Sequence, residues 1–500
     1  MNNIVRAVLG LLALAPLASI ATASDVTALA QKLNSASAID RRQAVLDLSA
    51  DGSPAAWPFV IEALHDADAM VADEAKLVLG NVKDASIAKG LLAKDGISAN
   101  DPWVRIRAAE ALGRMKVEID AAPLCRHMSD KDPELRRIVA WTIERLARGD
   151  HIEAKSKRFA KQELEDVVKK DADPNVRAAA LSARHALEPL TISYLFEVIS
   201  SAKQPGIVHA ATTHLIGAVD SEQLSLVASS VAGEDLCVRQ AYVRELGRAA
   251  TRTSLHSLVL RLSADKNLRL TWTIVELLQN LSGEMIKSDP VKWLEWELKQ
   301  PADWKAKSPA FAKDAKHEYD TSIAFMDMQS LSNHIVVLFD FSESMSTKLA
   351  SGKTRKDTIE LELRQWLEHL PNSSEFNLIP YAETPQPCEK ALVAANAASV
   401  KRALACFKDC KLAGKSNFWD AFLVALSDPK ADTILVVSNG EPACGRHENL
   451  ELIGALAAER NRFRHVALDA LILNSKPEVQ DLWREIASRN GGRMSAIDMK

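Results

Sequence analysis

An excess of charge of either sign is missing from this chain of 500 residues: 62 basic residues stand against 66 acidic ones, a formal net charge of −4. That balance gives no electrostatic case for a nucleic-acid or anionic-membrane partner. Aromatic residues are few, at 5%, while Ala and Leu abound, a bias towards helix. The six cysteines include no Cys-x-x-Cys pair and the histidines form no cluster at metal spacing, which speaks against a zinc site. No Gly-x-Ser-x-Gly elbow is present, which removes the signature of a serine hydrolase of that type. What remains is an ordinary globular composition, and a length that exceeds one hydrophobic core, so two or more domains are expected.

The first residues read as a targeting signal. Arg6 is the basic region, residues 7–20 the apolar core, and Ala21-Thr22-Ala23 a small-residue cleavage site before Ser24. The apolar stretch is short of the ~20 residues a membrane span needs, and no Cys follows the cleavage site. The expectation is an exported protein cleaved after Ala23, periplasmic or secreted, with no stable membrane insertion afterwards.

Over residues 24–287 one segment type recurs: an acidic or Asn residue, often Pro, then an apolar residue and Arg, then an Ala-rich stretch. Asp101-Pro102-Trp103-Val104-Arg105, Asp132-Pro133-Glu134-Leu135-Arg136 and Asp173-Pro174-Asn175-Val176-Arg177 are the clearest copies. Weaker copies begin at Val71, Val208, Val238 and Leu268, with a degenerate one near Arg41. Successive anchors lie 33, 31, 41, 32, 30 and 30 residues apart, and the long interval contains the charged stretch 148–161, read as an insertion. Asp at such a position caps a helix, and Pro fits the first turn, where no donor is missed. Helix pairs of this period bury their apolar stripes only by stacking on neighbours. The pattern resembles the HEAT family, which implies an α-solenoid with an Asp–Arg ladder and a surface for binding. Related repeats occur in bilin lyases, but no thiol or acid–base constellation here supports catalysis.

Residues 288–333 break the pattern. Trp293, Trp296 and Trp304 among Lys, Asp and Pro301 indicate an irregular connector packed against the next domain. From 334 to 500 the chain alternates. Strand-like runs at 335–339, 376–381, 434–437 and 466–473 are separated by helical patterns, and a closing strand spans 494–497. Such alternation implies a mainly parallel, doubly wound sheet with helices on both faces.

The first of these strands runs into Asp340-Phe341-Ser342-Glu343-Ser344. One carboxylate and two hydroxyls at alternate positions thus leave the carboxyl end of a strand, where open α/β sheets bind ligands. Hard oxygen donors of this kind suit Mg²⁺ or Mn²⁺. Two later loops converge with it in a doubly wound sheet: Gly414-Lys415-Ser416-Asn417 and Ser438-Asn439-Gly440-Glu441-Pro442. Together the three loops resemble the metal-ion-dependent adhesion site of a von Willebrand factor A domain. That family carries Asp-x-Ser-x-Ser, then a Thr, then an Asp before Gly. Asp340, Ser342 and Ser344 match, Ser416 replaces the Thr, and Asn439 replaces the Asp. The resemblance implies an Mg²⁺ (or Mn²⁺ or Ca²⁺) site on a Rossmann-like domain, completed by an acidic residue of a protein partner. Asn439 keeps an oxygen but loses a charge, and removing a unit charge ~4 Å from a cation loses on the order of 1–4 kcal/mol. Weaker metal affinity, or a greater need for the partner's carboxylate, follows, and a retained fold with a vacant site is the alternative. Glu343 and Glu441 are candidates to restore charge.

A rival reading is a haloacid-dehalogenase-type phosphatase with Asp340 as nucleophile and Ser438 contacting phosphate. It expects a second Asp where Ser342 stands, and an acidic pair on a later strand, where Asp469 is alone. Binding by the solenoid with a metal-free C-terminal domain is a third. Cys125 and Cys237 lie in helical patterns and read as buried thiols. Cys388, Cys406, Cys410 and Cys444 allow three pairings, and Cys410–Cys444 is favoured because both flank the candidate site. The whole is a multidomain chain: an all-α HEAT-like solenoid followed by an α/β doubly wound domain, non-enzymatic and made for protein–protein interaction.

Overall fold

The computed structural model describes residues 23–220, 223, 227, 235–311, 316–321 and 323–499. The targeting segment, but for its last residue, lies outside them. Among the described residues no helix is long and apolar enough to cross a membrane.

The N-terminal part is a stack of helix pairs. One row consists of Ala38–Asp51, Ala69–Gly80, Pro102–Leu112, Pro133–Arg148, Pro174–Leu187, Pro205–Ala218, Leu236–Ala249 and Leu268–Ser282, each packed on the next. The caps anticipated from the repeats are made. Asp101, Asp132 and Asp173 accept from the amide two residues on, at 2.8, 2.9 and 2.8 Å, and Asp68, Asp235 and Asn267 cap the weaker copies. Measured from the caps, two anchors shift: Gln204 and Asn267 put Ile207 and Leu270, not Val208 and Leu268, at the equivalent of Val104. The ladder carboxylate is not the cap but the Asp two residues before it. Arg41 meets Asp66 at 2.7 Å, Arg105 Asp130 at 3.3 Å, Arg136 Asp171 at 2.7 Å and Arg239 Asp265 at 3.0 Å. The charged stretch of the long interval runs into a 17-residue helix, Ala154–Lys170.

The segment after the last repeat is more regular than anticipated. Pro290–Leu298 is helical, and its tryptophans turn towards the solenoid rather than the next domain. Trp293 is fully buried in the repeat core and meets Trp296 edge-on at 5.8 Å, which meets Trp304 at 6.4 Å. Burying an apolar stripe against the terminal helix pair closes the exposed end of the stack.

A small hairpin, β1 (Ala324–Phe325) and β2 (Met328–Gln329), precedes the sheet. The sheet itself contains β3 (His334–Asp340), β4 (Glu375–Tyr381), β5 (Val393–Ala394), β6 (Thr433–Ser438), β7 (Ala467–Leu473) and β8 (Met494–Ile497), in the order β5-β4-β3-β6-β7-β8. All neighbours are parallel except β4 and β5. Alternate residues serve the two faces. Val336, Leu338, Ile434 and Val436 pack under Trp419, Phe422, Leu456 and Trp483, while Val337, Phe339, Leu435 and Val437 pack under Leu363, Trp366 and Phe407. The chain steps from β3 to β4 on one side and later to β6 on the other, so β3 and β6 flank the switch point.

The helix Ala397–Asp409 was not foreseen; Asn396 opens it with a capping box. It carries the disulfide partner of Cys388, which is Cys406 (Cα–Cα 5.9 Å). That bond leaves Cys410 and Cys444 available to each other, but both are free thiols, so the anticipated Cys410–Cys444 bond is not formed. Cys410 follows Cys406 by one turn and faces Gln386 at 3.7 Å, while Cys444 sits on the β6 loop. Cys125 and Cys237 are buried thiols, as anticipated.

Candidate functional site

At the switch point four loops are stitched together by their backbones. The Phe341 amide donates to Tyr381 O at 2.7 Å, Ala413 to Phe341 O at 3.1 Å, Glu343 to Gly414 O at 3.2 Å, Asn417 to Ala382 O at 2.8 Å and Ala443 to Ser416 O at 2.9 Å. Asp340, the last residue of β3, is 1% exposed. Its Oδ1 accepts the Ser342 amide at 2.9 Å, and its Oδ2 accepts the Ser416 hydroxyl at 3.0 Å and the Ser438 hydroxyl at 2.7 Å. The Ser342 and Ser344 hydroxyls are 3.1 Å apart. Ser342 is buried and Ser344 half-buried.

Four of the five anticipated residues therefore converge directly. Asn439 joins at one remove: its Oδ1 accepts the Glu441 amide at 3.1 Å and lies 3.5 Å from Ser438 Oγ. Neither candidate for restoring charge touches Asp340. Glu343 is exposed, and Glu441 faces Lys476 at 4.0 Å. Gly440 holds φ +85°, and a side chain there would collide with the Trp483 ring, whose Nε1 donates to Gly440 O at 2.8 Å. That contact fixes the β6 loop, because left-handed backbone is cheap only for Gly.

Three residues escaped the sequence reading of the metal site. Ser438 gives Asp340 its shortest hydrogen bond, yet it was considered only as a phosphate contact. Tyr381 is fully buried, and burial, then the charge of Asp340, pushes its ionisation far upward against the Ser438 and Ser416 hydroxyls. Glu383 rests against Gly414, where a Cβ would meet its Oε1 at 2.7 Å. The signal for Ser438 and Tyr381 was their place as last residues of strands flanking Asp340.

The arrangement fits a hard cation in donor chemistry. Asp340 is a buried carboxylate whose hydrogen-bond partners are an amide and two hydroxyls, all neutral, and the hydroxyls of Ser342, Ser344 and Ser416 are oxygen donors able to turn from Asp340 to an ion. Among the described residues no group of three or more His, Cys, Asp or Glu is placed to hold a metal, so this is a hydroxyl-rich set with one carboxylate.

The loop continuing from Gly440 runs into the solenoid and begins a long seam. His447 Nδ1 lies 2.9 Å from Asp73 Oδ1, and the Glu448 amide donates to Asp73 Oδ2 at 3.2 Å. Arg446 stacks on Trp103 at 3.7 Å. Lys76, fully buried, pairs with Glu110 and lies 3.5 Å from Asp73. Further along, Arg137 pairs with Glu459 and with Glu134 (2.8 Å), Arg460 with Glu134 (2.5 Å) and Arg462 with Glu144 (2.5 Å). At the far end Arg269 reaches Asp469 at 3.7 Å, and Asn267 donates to Asp432 at 3.0 Å. Burial opposes the charge on Glu134, but Arg137 and Arg460 outweigh it and hold the carboxyl down at about 2. His447 is held below its usual value by burial and then by Lys76, against the pull of Asp73.

Comparison with known proteins agrees with this architecture. A model of HEAT repeats matches residues 91–185, and a model of the von Willebrand factor type A domain matches residues 333–495. The chain thus carries HEAT repeats followed by an A domain, modules that typically mediate protein interactions. Similar solved structures include a von Willebrand factor type A protein from Catenulispora acidiphila, at 16% identity over 34% of this chain and 39% of that one, with a TM-score of 0.28. Another is an aerotolerance-related membrane protein from Bacteroides fragilis, at 13% identity over 33% and 91%, with a TM-score of 0.25. A homology model of the full-length AP-3 complex also matches, at 11% identity over 55% of this chain and 53% of that one, with a TM-score of 0.36. This chain spans well under half of the first of these. No curated protein matches it.

Proposed function

We propose that the chain is an exported, non-enzymatic scaffold that binds a protein partner through a divalent ion held at the A-domain switch point. Asp340, Ser342, Ser344 and Ser416 would hold the ion, with Asn439 as a weak, uncharged contributor. Bound there, Mg²⁺ or Mn²⁺ would offer an open position with affinity for an anionic oxygen, which an acidic residue of the partner would fill. The observation that carries the reading is Asp340: a carboxylate buried to 1% exposure, ringed by hydroxyls, with only neutral hydrogen-bond partners. A buried charge without a counter-ion is costly, and a cation relieves that cost.

Export after cleavage at Ala23, to the periplasm or beyond the cell, belongs to the same proposal. Its support is the charge and hydropathy pattern of the first 23 residues. Two observations weigh against the rival readings. Asp469, the acid a phosphatase would need, accepts the Arg493 amide at 2.8 Å and faces Arg269, so it is committed to the seam. A partner gripping the helix row that bears Asp73, Arg137 and Arg269 would meet the A domain already seated there.

The test is capture of proteins from the cell envelope by the full chain, by Asp340→Ala and by Ser342→Ala, in Mg²⁺ and in EDTA. The proposal expects a partner retained only by the wild type in Mg²⁺. Capture that persists unchanged in EDTA and in both variants sinks it.

A further inference from the structure

The seam between solenoid and A domain is charge-matched at both ends and unmatched in the middle. Where the Pro205–Ala218 and Leu236–Ala249 helices face the turn 462–465, the groups that meet are His209, Arg244, Arg248, Phe463 and His465. His209 is 2% exposed, and neither ring nitrogen has a hydrogen-bond partner. Its ring lies 4.7 Å from that of His465 and 5.9 Å from Phe463. His465 sits in the left-handed region at φ 51°, an uncommon conformation for a non-glycine residue, and one that clusters at functional sites. Its own amide, bonded to Asn461 O at 2.8 Å, holds it there.

Arg244 stacks on Phe311 at 4.7 Å, and its buried Nε is unpaired. The nearest described carboxylates are otherwise engaged: Glu245 pairs with Arg248, and Glu276 accepts Tyr319 Oη at 2.7 Å. Arg462, which pairs with Glu144, leaves its buried Nη2 unpaired beside the same cluster. Burial and then the Arg244 charge push His209 down to about 3 and His465 well below its usual value, so both rings are neutral and offer N–H donors. Arg248 and Phe311, both exposed, stand at the solvent edge over Arg244. Unpaired buried donors on His209, Arg244 and Arg462, from three segments, with the Arg248 guanidinium (paired with Glu245) at the edge, form a built environment for an anion.

We propose that His209, Arg244, Arg248 and His465 form a binding site for a small tetrahedral oxyanion of the phosphate class, seated between the solenoid and the A domain. The anion supplies the negative charge that carboxylates supply at Asp73–His447, Arg137–Glu459 and Arg269–Asp469, and it ties the two modules together. An anion beside two neutral imidazoles also raises their proton affinity, so its binding is linked to proton uptake.

The test is calorimetric titration of the full chain with inorganic phosphate near pH 6.5, at fixed ionic strength, in two buffers of different ionisation enthalpy. The site predicts saturable binding with proton uptake, and at least tenfold weaker affinity in both Arg244→Gln and Arg248→Gln. The exposed Arg248 position decides the matter where Arg244→Gln does not fold. Absence of saturable heat in the wild type, or affinity unchanged in Arg248→Gln, overturns the proposal.

Discussion

At the scale of single residues, Asn439 is where the proposed ion site would gain or lose a charge. Its carbonyl accepts the Glu441 amide and stays within 3.5 Å of Ser438 Oγ, so an Asp in its place would lie in the same loop with a charge added. Asn439→Asp should therefore tighten Mn²⁺ binding by at least about fivefold, given the 1–4 kcal/mol that a unit charge is worth roughly 4 Å from a cation; direct titration measures it. The cysteines make a second residue-scale prediction. A non-reduced proteolytic digest should yield a peptide linked through Cys388 and Cys406, with Cys410 and Cys444 open to alkylation after unfolding. The first site loop was legible because its three donors sit at alternate positions on one short stretch. Ser438 and Tyr381 were not, because their role depends on which strands become neighbours. The disulfide was misjudged for the same reason: its second half lies on a helix the sequence pattern did not announce.

At the scale of elements, local chemistry was read well. Caps depend on residues two or three apart, and the Asp-Pro starts fall where helices begin. Asp132→Ala should cost about 1 kcal/mol of stability, visible as a lowered urea midpoint with an unchanged slope. The anticipated ladder is present, but its carboxylate is Asp66, Asp130 or Asp171, two residues before the cap. These same side chains also accept the cap residue's amide, at 2.8, 2.9 and 2.8 Å, so each rung braces a turn and two helices together. The seam-facing positions are five and nine residues past the caps: Asp73, Glu110, Arg137, His209 and Arg244. Polar residues there, on helices otherwise rich in Ala, signal that this face meets something. The sequence alone does not reveal that the something is the chain's own C-terminal domain.

For the whole molecule, that seam makes solenoid and A domain depend on each other. Lys76 has no exposure and holds Glu110 and Asp73; Lys76→Met removes the buried cation that both carboxylates share and should destabilise the protein by roughly 3–5 kcal/mol, measured by chemical denaturation. The buried histidines set an acid limit. His209 and His214 are held down at about 3 by burial and neighbouring cationic or imidazole groups, and His447 and His465 are also lowered. Groups with depressed folded values take up protons more readily when unfolded. Their stabilisation is complete above about pH 6.5 and falls as the pH drops below it, by up to about 1.4 kcal/mol per unit for each group. Melting temperature should decline from pH 7.5 to 5, and more gently in His209→Gln.

The central claim, an ion-dependent site on a domain anchored to its own solenoid, rests most directly on calorimetric titration of the full chain and of Asp340→Ala with Mn²⁺. The account predicts saturable binding of one ion by the wild type and none by Asp340→Ala, with both proteins unfolding cooperatively. Identical titrations of the two proteins would contradict it.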